Sequence, residues 1–303
     1  KPAELVVYVN GDMVPESQAV ISVLDRGFRW GDSVYDSERT FRGKIFKLQS
    51  HMKRLYRSLR YTRIDAGITI DEMEEASERL VEANLHVLGP NDDFTVSQVV
   101  SRGMINRSEE GPNLAIYCQP IEFRGYARQY LDGIRVVTPS TRRNSPQSLS
   151  PKAKIGNKMN HFIAEFEARD RDPEAVSLML DLDGNIAECT GGNFLFVADG
   201  RLKIPNRRHV LPGISMETVL DLAENLGIPA DEGDYTPFDV YQADEAFMTG
   251  SSVCVMPTRS VNGWRIGDDE LPGPITTALS AAFSDLAGLN FIDQALSHLA
   301  MQE

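Results

Sequence analysis

Four polar stations, set in order along the C-terminal half of the chain, fix which side chains its strands and helices must gather. The first is Ser150-Pro151-Lys152-Ala153-Lys154-Ile155-Gly156-Asn157. The second, Ile186-Ala187-Glu188-Cys189-Thr190-Gly191-Gly192-Asn193, closes a predicted strand, and the third, Leu211-Pro212-Gly213-Ile214-Ser215, opens a predicted helix. The fourth is Phe247-Met248-Thr249-Gly250-Ser251-Ser252. Together they supply an amine, a carboxylate and two phosphate cradles. A lysine amine can join covalently to an aldehyde, and a glutamate can hold a ring nitrogen protonated. A Gly-x-Ser helix start can hold a phosphate through its free backbone N–H groups. This is the chemical inventory of a pyridoxal phosphate site.

Composition narrows the class. At 303 residues, 42% hydrophobic and 25% charged, the chain can bury large cores and suits two domains better than one. A formal charge of -13 argues against nucleic acid or an anionic membrane as partner, because neutralising phosphates needs a basic surface. Cys118, Cys189 and Cys254 are far apart and odd in number, so a disulfide framework is not expected. The five histidines lack metal-ligand spacing, so no metal is expected. No apolar run is long enough to span a bilayer and Lys1-Pro2-Ala3-Glu4 has no signal-peptide core, which makes the cytoplasm the expected location.

The pattern reads as two α+β lobes without internal repeats. Asn10-Gly11 between Leu5–Val9 and Met13–Val14 signals a hairpin, and Gly43 between Arg39–Phe41 and Lys44–Leu48 signals another. Residues 49–60 and 71–87 carry helical spacing, the second with Asp71 as expected cap. Strands are predicted over 95–101 and 114–119. The expected division is a small domain over 1–124, a connecting loop over 125–132 and a larger domain over 133–303. In the larger domain a helix is predicted over 157–169, a hairpin around Asp183-Gly184, a strand over 193–197 and a helix over 216–226. Such a mixed arrangement bends into a barrel-like sheet more readily than into a dinucleotide-binding fold, and no strand is followed by Gly-x-Gly-x-x-Gly.

The ordered stations resemble those of the class IV aminotransferases, the fold-type IV pyridoxal phosphate enzymes. That group includes branched-chain and D-amino acid aminotransferases, R-selective amine transaminases and aminodeoxychorismate lyase. The resemblance runs from Tyr8-Val9-Asn10-Gly11 to near Pro257. It implies a small α/β N-terminal domain and a larger pseudo-barrel C-terminal domain, with a cofactor site drawing on both. Lys154 takes the place of the Schiff-base lysine, since it stands at the family's distance after Pro146 and before Glu167-Ala168; Lys152 fits neither. Glu188 would pair with the pyridinium nitrogen. Asn193, Gly213, Ile214, Ser215, Ser251 and Ser252 would hold the cofactor, and Arg54 would close the phosphate cup. The family forms at least homodimers.

For the substrate the same resemblance is divided. Trp30 and Tyr35 match pocket walls, and Arg39 stands where branched-chain enzymes carry an arginine. Ser252 and Val253 would also meet the substrate. Ser97, however, replaces a carboxylate-binding arginine of many branched-chain enzymes, and Lys158 replaces an aromatic residue. Arg107 falls near the carboxylate trap of D-amino acid enzymes, with Glu109 in place of its histidine partner. Tyr35-Asp36 is similar to R-selective amine transaminases, although Glu38 and Arg39 are polar for an amine pocket. The expected activity is transfer of an amino group from a branched-chain-like amino acid to a 2-oxo acid. The alternatives are a D-amino acid or R-amine donor, or a lyase acting on aminodeoxychorismate.

Overall fold

The structure is a computed structural model, and it describes residues 4–105, 111–268 and 270–300. The chain divides into two compact units, Lys1–Ile121 with Ala153–Lys158, and Glu122–Lys152 with Met159–Glu303. Segment 153–158 was expected with the larger domain. It counts with the first unit because its backbone is stitched to that unit's sheet: Tyr35 N–H donates to Lys154 O at 3.0 Å and Gly156 N–H to Ser33 O at 2.7 Å.

In the first unit β1 (Val6–Val9) and β2 (Asp12–Pro15) form the expected hairpin, with Asn10 and Gly11 both at positive φ. A short helix α1 (Arg26–Trp30) leads into β3 (Ser33–Phe41), which turns into the two-residue β4 (Lys44–Ile45). Helices α2 (Leu48–Thr62) and α3 (Ile70–Asn84) precede β5 (Phe94–Ser101) and β6 (Asn113–Pro120). The sheet order is β2-β1-β6-β5-β3-β4. The helices bury Met52, Leu55, Leu59, Met73 and Leu80 on Phe94, Val96, Val100 and Ile116 of the sheet. Each such side chain contributes roughly 1.5–3 kcal/mol. The cap of α3 is Thr69 rather than Asp71, because Thr69 and Glu72 complete a reciprocal capping box. The predicted strand over 44–48 is shorter than expected, since Leu48 already opens α2.

The second unit starts with α4 (Gln129–Asp132) and β7 (Ile134–Val137), then α5 (Met159–Arg171), β8 (Val176–Leu180) and β9 (Ile186–Cys189). Next come β10 (Gly192–Ala198), β11 (Arg201–Pro205), α6 (Ile214–Asn225), β12 (Ala230–Gly233) and α7 (Pro237–Tyr241). The end is formed by β13 (Glu245–Gly250), β14 (Cys254–Val261), β15 (Trp264–Arg265), α8 (Pro274–Ala287) and α9 (Phe291–Ala300). The pairings run β10-β13-β14-β7-β8-β9, and β9 pairs back onto β10. Six strands thus close on themselves, the barrel-like sheet expected from the sequence. β7 lies parallel to both β8 and β14, while the other pairs of the ring are antiparallel. Phe194, Phe196 and Phe247 are fully buried in this unit. Among the described residues no single helix is long and apolar enough to cross a membrane.

Candidate active site

Closure of the ring draws three of the four stations together in the second unit. Antiparallel pairing of β9 with β10 sets Glu188 opposite Asn193, and Asn193 is in register with Thr249 of β13, just ahead of Gly250, Ser251 and Ser252. The third station joins through backbone: Leu211 N–H donates to Glu188 Oε2 at 2.8 Å, and Asn193 Nδ2 donates to Leu211 O at 2.9 Å. The approach is tight enough that a Cβ on Gly213 would run into the Asn193 amide oxygen. Val253 and Ser252 are tied down by their carbonyls, which accept from the hydroxyls of Tyr130 at 2.7 Å and Tyr126 at 3.1 Å.

Glu188 is 4% exposed and ion-paired. Burial alone pushes its carboxyl up; the His161 side chain, the Arg143 guanidinium and the Leu211 N–H outweigh that and hold it at about 2. Arg143 donates from Nε to Glu188 Oε1 at 2.7 Å, and His161 Nε2 lies 3.8 Å from the same oxygen. Neither residue was singled out from the sequence for this role. The carboxylate is therefore a fixed buried charge with one edge on Arg143 and the other on Leu211.

Helix α6 begins at Gly213 with no side-chain hydrogen bond from its N-cap residue, as in α2 and α8, whereas the N-termini of α1 and α3 are capped by Asp25 and Thr69. Its leading N–H groups, those of Ile214 and Ser215, carry the positive end of the helix dipole. An uncapped helix start can receive a phosphate through these N–H groups.

Lys154 belongs to the first unit. Its N–H donates to Ser58 Oγ at 2.9 Å, its carbonyl is held by Tyr35, and its amine lies 4.7 Å above the Tyr35 ring. Alternation along β3 puts Tyr35, Ser37 and Arg39 on one face and Asp36 and Glu38 on the other. Ser97 of β5 is in register with Ser37, and their hydroxyls meet at 2.8 Å. Arg39 is buried and its guanidinium stacks on Phe41 at 4.2 Å. Trp30 is half exposed at the end of α1, with the guanidiniums of Arg26 and Arg29 within 5.1 and 5.4 Å of its ring. Arg107 and Glu109 lie outside the described residues.

Arg54 projects from α2 onto the opposite face of β3. It grips Asp36 through Nε at 2.9 Å and NH2 at 2.6 Å, and His51 Nδ1 reaches the same carboxylate at 2.8 Å. Burial would raise Asp36, but Arg54 and His51 prevail and hold it well below the usual range. Asp36, Glu38 and His51 have ligand atoms within 4.8 Å of one another, yet the Arg54 guanidinium already pairs with the Asp36 carboxylate.

A family model described as amino-transferase class IV matches residues 33–261. The branched-chain-amino-acid aminotransferase of Escherichia coli K12 is 29% identical over 286 residues, 92% of each chain. A crystal structure of an Escherichia coli branched-chain amino acid aminotransferase superposes with a TM-score of 0.85 at 27% identity, covering 94% of this chain and 95% of that one. The branched-chain amino acid aminotransferase of Thermobaculum terrenum, solved in its PLP form, gives 0.82 at 25% identity, covering 96% of each chain. The chain belongs to the class IV aminotransferases.

Proposed function

We propose that this aminotransferase uses pyridoxal 5'-phosphate to move an amino group from a branched-chain-like amino acid to a 2-oxo acid. The observation that carries this reading is the joining of Glu188, Asn193, the uncapped start of α6 and the Gly250-Ser251-Ser252 turn through direct contacts and strand register. The similarity to branched-chain enzymes supports the donor class, and the PLP form of one of them supports the cofactor.

When bound, the cofactor supplies an aldehyde for the amino donor and a ring that accepts the electrons of the broken Cα–H bond. Lys154 would be its covalent anchor and, once released, the base and acid that moves a proton from the substrate α-carbon. Glu188 would keep the ring nitrogen protonated, a role for which its fixed negative charge is suited. Ile214, Ser215, Ser251, Ser252 and Arg54 would hold the phosphate, with Gly213 and Asn193 shaping the approach. Tyr35, Arg39, Ser97, Val253 and Trp30 are the residues assigned to the substrate.

The discriminating experiment follows the absorbance of the cofactor-loaded protein as L-leucine, L-glutamate, D-alanine or an R-arylalkylamine is added without an acceptor. Conversion by L-leucine and L-glutamate is expected. Conversion by D-alanine or the amine alone would replace the branched-chain assignment, and conversion by none would favour a lyase.

A homodimer is part of the same proposal. Met159, Phe162, Ile163 and Phe166 recur at helical spacing on α5 and are all exposed, as are Val20, Val23 and Phe28 in the first unit, an unusual display of apolar surface for a monomer. Sedimentation at micromolar concentration should give twice the chain mass; a monomer would refute it. The charge of -13 speaks against nucleic acid and anionic membranes as partners, and three buried cysteines outside any disulfide support the cytoplasm.

A further inference from the structure

Glu38 is among the most buried acidic groups described in the first unit. It is fully buried, and of its two oxygens Oε1 accepts from Gln98 Nε2 at 2.5 Å while Oε2 has no hydrogen-bond partner. Groups face it from every neighbouring element: Asp36 two residues back on β3, His51 and Arg54 on α2, Ser77 on α3 behind Gln98, Cys118 on β6, and Lys154. His51 Nδ1 lies 3.7 Å from Oε2. Arg54, the guanidinium of this group, is already committed to Asp36 through two nitrogens.

The arithmetic of this cluster decides what Arg54 can offer. With Asp36 ionised and Glu38 and His51 neutral, the guanidinium is balanced once. A second carboxylate on the same face of β3 would overbalance it. Burial and the Asp36 charge both raise Glu38 well above the ordinary carboxyl range, against the weaker pull of the Gln98 hydrogen bond, Arg54 and Lys154. Burial also lowers His51, so the imidazole does not restore the balance.

We infer that Glu38 is a positioning residue for anion binding: as a neutral acid it leaves Arg54 able to receive a phosphate-like dianion, and as a carboxylate it withdraws that capacity. The inference rests on the assignment of Arg54 to the cofactor phosphate. It makes affinity for the phosphate group fall as pH rises through the ionisation of Glu38, independently of the chemistry at Lys154.

The test uses the full chain without cofactor and inorganic sulfate, whose charge is constant over the range, with binding followed by calorimetry from pH 6 to pH 9. Wild-type affinity is expected to weaken about tenfold once Glu38 ionises, the order of effect of one added charge at close range. Glu38→Gln, isosteric and without a proton to lose, should bind as wild type does at pH 6 and keep that affinity at pH 9. Glu38→Met repeats the comparison if the glutamine variant does not fold. A wild-type slope retained in either variant, or sulfate binding lost at every pH, overturns the inference and leaves Glu38 a packing residue. Arg54→Gln separates the two levels: unchanged sulfate affinity there would remove the Arg54 assignment itself, whereas lost affinity with an unaltered slope in Glu38→Gln removes the inference alone.

Discussion

Lys154→Ala is expected to lower turnover by at least about a thousandfold and to abolish covalent retention of the cofactor after borohydride reduction. The size follows from asking one residue to anchor, deprotonate and reprotonate. The specificity follows from how the chain holds it. Ser58 receives the Lys154 N–H, Tyr35 donates to its carbonyl, Ile155 bridges to Val34 and Gly156 is pressed against Ser33. The backbone is thus fixed on both sides of the lysine, and the half-buried amine has the Tyr35 ring beneath it. Lys152 is exposed, whereas Lys154 is half-buried and held by its neighbours, so Lys152 is not expected to substitute. Mass spectrometry of the reduced protein checks this directly. An adduct on Lys152 in the alanine variant would transfer the role to that lysine.

What could be read from the sequence was whatever is encoded locally. Turn glycines, the Gly-x-Ser helix start and the strand ending in Glu188 announce themselves within a few residues, and the structure joins the last two through β9, β10 and the Leu211 backbone. The Thr69 cap is also legible as Thr-x-x-Glu ahead of an apolar run, although the acidic first turn makes Asp71 an equally plain candidate by composition. Partners supplied from a distance were not legible. Arg143 lies 45 residues from Glu188 and meets it within the closed second unit. Asp36, His51 and Arg54 converge from a strand and a helix, and only the alternation of β3 reveals that Glu38 turns away from Tyr35 and Arg39. Its polarity, weighed from the sequence against an amine pocket, is a property of the opposite face.

Glu188→Gln should retain the cofactor and lose about two to four orders of magnitude in turnover. Glutamine keeps the volume and can still accept from Leu211 N–H, so Asn193 and the start of α6 stay in place. What it removes is the negative charge that keeps a ring nitrogen cationic, and it leaves Arg143 buried without its counter-charge. That second effect predicts a stability change of known sign. The native carboxyl sits at about 2, below its unfolded value, so its ionisation stabilises the fold fully above the unfolded pKa near 4.3, and this is lost as pH falls through about 2. The difference corresponds to roughly 3 kcal/mol in the wild type, and the glutamine variant lacks it. Acid unfolding of the cofactor-free proteins, followed by circular dichroism, should show a steeper loss of stability below pH 4 in the wild type than in Glu188→Gln. Unchanged turnover in the variant would eliminate Glu188 as the partner of the ring nitrogen. Unchanged acid stability would mean that the Arg143 pair does not hold the carboxylate as its geometry indicates.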